Sequence, residues 1–462
     1  MRFACLPRRP WLLAPLLALG IAMAPSRGWA VGEEITDVRV LGNTRTDEAT
    51  VRSIAGVSIG DTLQIDTLDI VRERLNTTGL FSDVNVWWEP HSSGVRVNVA
   101  VKDKFPWAPV PTASLAANNK SIGLLFVHGN LFGRGKQLLI GGRLATVDSG
   151  AAIAYRDPSF FGSWIYWQLQ GVVQRQVLPE FDNSQNLADP VEIRETRLLS
   201  YGFEPSIGIA WFRRVKTQVA WHLEKFKFDQ SDDPNNTSTV LEPSMQGGLL
   251  GMGRASLIFD FRAREFAVMT GAALTAYLDY AGPSFQSDYK FQRAGVNWEH
   301  GIRFFRAHNL IYALGAYAGR DLPFFAENTV GGPNSRGYLY QQFRGDTELS
   351  GKAEYHFPLF SISSLDFRAL VFYDVAAVWF RDLPTTQITG QDGQQYLLRD
   401  TFDQRTFPLT TPHGFSFDTS IHNSVGGGLR FFLRSVAVPL IGFDAGYGIE
   451  AHNWRFILIV GA

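Results

Sequence analysis

Val215-Lys216-Thr217-Gln218-Val219-Ala220-Trp221-His222-Leu223 is the stretch that decides the fold. Val215, Thr217, Val219, Trp221 and Leu223 occupy the odd positions, while Lys216, Gln218 and His222 alternate with them. A period of two sends successive side chains to opposite faces of a strand. The pattern recurs outward from this segment. In Trp164–Gln174, Ile165, Trp167, Leu169 and Val173 alternate with Gln168, Gln170 and Gln174. Arg254, Ser256, Asp260 and Arg262 share a face opposite Ala255, Leu257, Phe259 and Phe261. Arg368 and Asp374 lie opposite Ala369, Val371, Tyr373, Val375 and Trp379. Charged groups among such apolar ones need water or a partner. A barrel with a wet lumen and an apolar exterior supplies both. At about 22 residues per strand and turn, residues 105–462 hold roughly 16 strands.

Composition agrees with this reading. Charged residues make up 19% of the 462, aromatics 13%, and glycine supplies 44 positions. The mean hydropathy of -0.05 excludes a helical membrane protein, which would be far more apolar. A hydrophobic content of 45% excludes a disordered chain. The net charge of -1 argues against a nucleic-acid binder, which carries a basic excess.

Arg2, Arg8 and Arg9 precede an apolar run from Trp11 to Ala24, followed by small residues. This has the form of a secretory signal peptide spanning residues 1–30, with Gly28 at the -3 position and cleavage after Ala30. The single cysteine, Cys5, falls inside it, so the mature chain is expected to form no disulfide and to use no thiol chemistry.

Residues 33–103 differ in character. Ile35, Val38, Val40 and Leu41 suggest a strand, and Gly42-Asn43 a turn. Thr46-Asp47 is placed to cap a short helix to about Ala55. Asp66 is placed to cap a second, with Leu68, Val71 and Leu75 on one face and Gly79 ending it. Val84, Val86 and Trp88, then Val95, Val97, Val99 and Val101, alternate as two further strands. This β-α-α-β-β order, with Val40-Leu41-Gly42-Asn43-Thr44 and Leu75-Asn76-Thr77-Thr78-Gly79-Leu80-Phe81-Ser82-Asp83-Val84, resembles a POTRA domain. A three-stranded sheet with helices on one face leaves strand edges open. The edge at Val84, Val86 and Trp88 is the candidate site for a client segment added as an extra strand.

Six further segments occur in an order that resembles the BamA/TamA-like outer-membrane assembly and translocation superfamily, whose barrels carry the bacterial surface antigen signature. They are Asn130-Leu131-Phe132-Gly133-Arg134-Gly135-Lys136, Arg156–Gly162, Asp260-x-Arg262, Val330–Tyr338, and Glu354–Leu359 followed by Phe372-Tyr373-Asp374. The chain is identified as a single-POTRA member. The resemblance implies a mostly β fold: a 16-stranded transmembrane antiparallel β-barrel over 105–462, preceded by one α/β POTRA domain over 33–103. It also implies the outer membrane as the location, with the POTRA domain in the periplasm. Outer-membrane lipids and lipopolysaccharide, unfolded client polypeptides and periplasmic chaperones are the implied partners. The implied activity is insertion or translocation of polypeptides, with the seam between first and last strands as the gate. The rivals are a passive channel or anchoring barrel, and lipid export to the outer leaflet. The ending Leu458-Ile459-Val460-Gly461-Ala462 departs from the aromatic end usual for such barrels, which points to an unusual seam.

Alternation puts Glu354 and Asp374 on the inward face of their strands. Arg336 lies in a Gly/Pro-rich loop just upstream. An arginine fork can hold one carboxylate bidentately and still reach a second. Gly337 permits a close turn, and Tyr338 can wedge against the wall. The expected role of Arg336, Gly337, Tyr338, Glu354 and Asp374 is to lock this loop in the lumen. No serine-hydrolase elbow, phosphate-binding loop or H-E-x-x-H zinc motif is read from the chain. The nine histidines are dispersed. The expectation is a protein that is not an enzyme and needs no cofactor or metal.

Overall fold

Strand alternation and helix periodicity divide the chain where composition divides it. The computed structural model describes residues 32–461, apart from 161–162, 213, 233–246, 266, 391–392 and 434–438. The expected signal peptide lies outside the described residues.

The N-terminal domain runs β1 (Ile35–Leu41), α1 (Glu48–Ala55), α2 (Thr67–Thr77), β2 (Phe81–His91) and β3 (Gly94–Asp103). The sheet order is β1-β3-β2, with β3 parallel to β1 and antiparallel to β2. Val95, Val97 and Val99 of the central strand are completely buried. Val51 and Ala55 from α1, and Val71 and Leu75 from α2, pack in the same core. The helix caps differ from the sequence expectation. Asp47 and Asp66 stand at the N-cap positions, but neither side chain caps its helix. α2 stops at Thr77, two residues before Gly79.

Thr46 is engaged elsewhere. Its hydroxyl donates to Asp103 Oδ1 at 2.5 Å, while Asp103 Oδ2 accepts from the backbone N–H of Thr44 at 2.6 Å and of Arg45 at 2.7 Å. Burial alone would raise the Asp103 pKa. The Thr46 hydroxyl and the N–H groups of Arg45, Thr44 and Thr46 outweigh it and hold the carboxyl below its ordinary value. A depressed folded-state pKa stabilises the fold above the unfolded value of about 3.9, and this contribution is lost as pH falls through the folded pKa. We therefore expect Asp103→Asn to cost about 2 kcal/mol at neutral pH. The variant should also unfold with a weaker acid dependence below about pH 4. Among the described residues, α1 and α2 hold nearly all the α-helix, so helical circular dichroism of the full chain in urea reads this domain. Equal acid limbs in parent and variant would contradict the assignment.

After Asp103 the chain enters a closed antiparallel barrel of 16 strands. The first half comprises β4 (Trp107–Leu115), β5 (Lys120–Leu131), β6 (Lys136–Ala145), β7 (Asp148–Asp157), β8 (Ile165–Asp182), β9 (Val191–Phe212), β10 (Val215–Asp232) and β11 (Leu249–Asp260). The second comprises β12 (Val268–Ala281), β13 (Phe291–Phe304), β14 (His308–Arg320), β15 (Thr347–Ile362), β16 (Leu365–Trp379), β17 (Ile421–Leu433), β18 (Pro439–Gly448) and β19 (Asn453–Val460). The rim where the chain enters β4 is called the near rim, and the opposite one the far rim. Long loops at the far rim connect β14 to β15 and β16 to β17.

The decisive alternation sorts as expected. Val219 and Trp221 are exposed on the outer wall, as are Val371 and Tyr373, while Arg368 and Asp374 are buried inside. Inside, His222 sits between two carboxylates, with Nδ1 3.1 Å from Glu204 and Nε2 2.8 Å from Glu224. Asp279 bridges Arg254 and Arg293. These inward charges therefore find partners within the wall, as buried charges require.

Candidate functional site

The loop from β14 to β15 folds into the lumen and carries Arg336 to the inner wall. Arg336 is 4% exposed. Its Nε and Nη2 donate to Asp374 at 2.9 and 2.7 Å, forming a bidentate pair with β16. Nη1 reaches Glu354 on β15 at 2.7 Å and Asp444 on β18 at 3.3 Å. The guanidinium lies 3.4 Å from the centroid of the Phe372 ring, a cation–π contact. One side chain thus joins β15, β16 and β18. The sequence reading found Arg336, Glu354 and Asp374 but not Asp444, which also pairs with Arg430. The available signal was position: alternation sets Asp444 inward between Gly442 and Gly446.

Gly337 is where backbone meets backbone. A Cβ there would lie 2.4 Å from the Cα and N of Gly448, so only glycine fits. Tyr338 is buried, with its ring edge-on to Phe343. Its hydroxyl donates to the Glu450 carboxylate, in the turn between β18 and β19, and lies 3.1 Å from the Asn423 carbonyl. All five expected lock residues therefore come together.

A second charged network closes the far rim. Arg405, from the β16–β17 loop, pairs with Glu180 on β8 at 2.7 Å and with Glu327 on the β14–β15 loop at 3.1 Å. Arg194 of β9 joins it by pairing with Glu180. β8 stands across a 16-strand ring from β16 and β17. The loops that make these contacts must therefore cross the mouth.

At the near rim, two sequence motifs prove to be one joint. Asn130 Nδ2 donates to the Thr46 hydroxyl at 2.8 Å, and Asn130 Oδ1 accepts from Gly135 N at 2.8 Å. The N–H of Asp47 bonds the Gly133 carbonyl at 2.9 Å. Gly133 has φ +70°, and a Cβ there would lie 2.6 Å from the Arg45 carbonyl. The β5–β6 turn is thus shaped to seat the N-terminal domain.

The seam is thin. β19 and β4 share three register pairs, Leu458–Leu115, Ile459–Ser114 and Val460–Ala113, whereas β16 and β17 share thirteen. The Pro106 carbonyl accepts from Gly129 N on β5. By alternation, Pro109 and Pro111 then turn their backbones toward the seam. Neither has an N–H to give, so this half of β4 cannot complete a ladder.

The candidate client edge is also placed. β2 is an edge strand, but the Val84 and Val86 side chains are buried in the core, and Trp88 packs against it. The open edge of β2 is therefore offered by its backbone and not by these three side chains. Arg72 Nη2 donates to the Val86 carbonyl at 3.2 Å, covering one acceptor of that edge.

Sequence comparison decides the family. The family model for the Omp85 superfamily domain matches residues 130–450. The chain belongs to the Omp85 superfamily. A second model, the surface antigen variable number repeat of the POTRA type, matches residues 33–104. No curated protein matches the sequence. Among solved structures, this Omp85-superfamily chain is similar to BamA from Haemophilus ducreyi lacking POTRA domains 1–3. The TM-score is 0.59 at 15% identity, over 93% of this chain and 84% of that one. It is also similar to CdiB from Escherichia coli, with a TM-score of 0.54 at 11% identity over 97% and 93%. CdiB from Acinetobacter baumannii gives 0.56 at 13% identity over 93% and 74%. These likenesses establish the shared fold.

One sequence reading is corrected. Gly56-Val57-Ser58-Ile59-Gly60 does have the G-x-S-x-G spacing of a serine-hydrolase elbow. It follows α1 rather than a strand, in a turn where Ser58 N donates to Asp61 at 2.8 Å. An elbow needs a strand leading into the serine and a helix leading out. Among the described residues of this Omp85-superfamily protein, no group of three or more His, Asp or Glu side chains is placed to hold a metal.

Proposed function

We propose that this Omp85-superfamily protein inserts or translocates polypeptides at the bacterial outer membrane, with its POTRA domain in the periplasm. The observation that carries the reading is the seam: three register pairs, where other strand pairs of the barrel have up to eighteen. Each missing pair lowers the cost of parting the two strands. A client segment first adds to the β2 edge of the POTRA domain, displacing Arg72 from Val86. Its strands then pair at the opened seam. Strand pairing and burial in lipid supply the driving force, so the mechanism breaks no covalent bond and uses no cofactor. Lipopolysaccharide and lipids surround the wall, and periplasmic chaperones deliver the client.

β4 and β19 are not equivalent templates. The seam-facing positions of β19, Trp454, Phe456, Leu458 and Val460, all keep their N–H groups. β4 offers bare carbonyls at Pro109 and Pro111. A client strand therefore gains a more complete ladder on β19.

The rival is a passive channel. The loops that cross the mouth through Glu180, Glu327 and Arg405 argue against a permanently open pore. The deciding experiment uses lipid vesicles containing the full-length mature protein and a urea-unfolded eight-stranded outer-membrane barrel. Folding of that substrate, read by gel mobility, should accelerate about tenfold over empty vesicles, about 1.4 kcal/mol of barrier. No acceleration together with a steady open conductance would favour the channel.

A further inference from the structure

The three strand pairs at the seam do not hold it alone. The lumen loop touches both sides. On one side, Tyr338 reaches Glu450 in the turn of the last hairpin, β18–β19. On the other, Tyr340 exchanges two hydrogen bonds with Asn118 in the turn of the first hairpin, β4–β5. Its backbone N–H donates to Asn118 Oδ1 at 2.8 Å, and its carbonyl accepts from Asn118 Nδ2 at 3.2 Å. Two residues of one loop thus bond to turns on opposite sides of the gap.

A second strap runs in parallel. The far-rim loop between β8 and β9 gives its Ala188 carbonyl to Asn453 Nδ2 at 3.4 Å and Arg455 Nη2 at 2.5 Å, both on β19. The same loop bonds back to the lumen loop. Gln342 Nε2 donates to Asn183 Oδ1 at 3.0 Å and to the Leu187 carbonyl at 2.9 Å. Leu187 packs against the cluster that contains Tyr338.

We propose that Tyr338–Tyr340 is a clasp that closes the seam at its far rim, with Asn118 and Glu450 as its two anchors. Direct pairing cannot do this work. β4 ends at Leu115 opposite Leu458, so residues 453–457, the far-rim part of β19, have no β4 partner, and the paired stretch is three residues long. The clasp itself is anchored, because Arg336, two residues upstream, is fixed to Asp374 and Glu354. The three-residue ladder can therefore part while the far rim stays closed, and opening is complete only when the Asn118 or Glu450 contact lets go. The proposal concerns the seam of the free protein and stands whether the barrel serves clients or solutes.

Spin labels at Ala117→Cys and His452→Cys, on the two hairpin turns, read the separation directly in vesicles. Asn118→Ala and Tyr338→Phe are introduced singly into the labelled protein. Each removes clasp hydrogen bonds and leaves the strands intact. Each should raise the population of the longer label-to-label distance roughly five- to thirtyfold, as expected for the loss of one or two hydrogen bonds. An unchanged distance distribution in a variant that migrates as a folded barrel on a gel overturns the clasp. The two variants are read separately, so a folding defect in one leaves the other to decide. Because no client is present, failure here is distinguishable from failure of the vesicle folding assay.

Discussion

Arg336→Ala should release the lumen loop and abolish the acceleration of substrate folding. Removing one partner of a buried ion pair leaves the other charge unpaired and typically costs about 3–5 kcal/mol. Here the loss strands three carboxylates together, Asp374, Glu354 and Asp444, with Arg430 as the remaining arginine beside them. Protease sensitivity near residue 336 should rise, and the urea midpoint of the barrel should fall. Arg336→Lys keeps the charge but cannot make the bidentate fork or stack on Phe372, so it should fall between parent and alanine. The decisive measurement is a double-mutant cycle with Asp374→Ala. Neighbours in one network couple by more than about 0.5 kcal/mol, whereas independent sites add within that margin. Simple additivity would show that the pair seen here contributes no interaction of its own.

The fold was legible because each strand carries its own evidence. Alternation in Val215–Leu223 needs no knowledge of any other segment, and the same parity placed Glu354 and Asp374 inside. The β-α-α-β-β domain was legible for the same reason. What the sequence left open were meetings between loop residues and distant strands. Asn130 and Thr46 are 84 residues apart, and Asp444 is 108 residues from Arg336. A turn residue has no periodicity to mark its partner. Asp47 and Thr46 looked like helix caps because that is the commonest local use of such residues. The tertiary bond to Asp103 and the joint with Gly133 took precedence. Val84, Val86 and Trp88 showed which face of β2 is apolar, and that face is the core. The free edge is a property of the backbone, which no side-chain pattern reports.

Locking the seam should have the second large effect. Ser114 and Ile459 face one another across β4 and β19. Ala113 and Val460 turn their backbone groups toward each other by the parity argued above. The intervening Ser114–Ile459 pair is therefore the non-hydrogen-bonded kind, where opposing Cα atoms approach to about 4.5 Å. That separation lies within the range a disulfide spans. Cys5 is the one cysteine of the chain and falls in the expected signal peptide, so no native thiol competes in the mature protein. Ser114→Cys with Ile459→Cys, oxidised, should fold as a barrel and lose nearly all stimulation of substrate folding. A reductant should restore it in the same vesicles. The single variants should remain active under both conditions, because neither can cross-link. Reversibility separates a shut gate from a damaged barrel. If the oxidised double variant accelerated folding as well as the reduced one, the client would not pass through this seam. The thinness of the β4–β19 pairing would then reflect only where the two strands end, β4 at Leu115 opposite Leu458 and β19 at Val460 opposite Ala113, with no part in the activity.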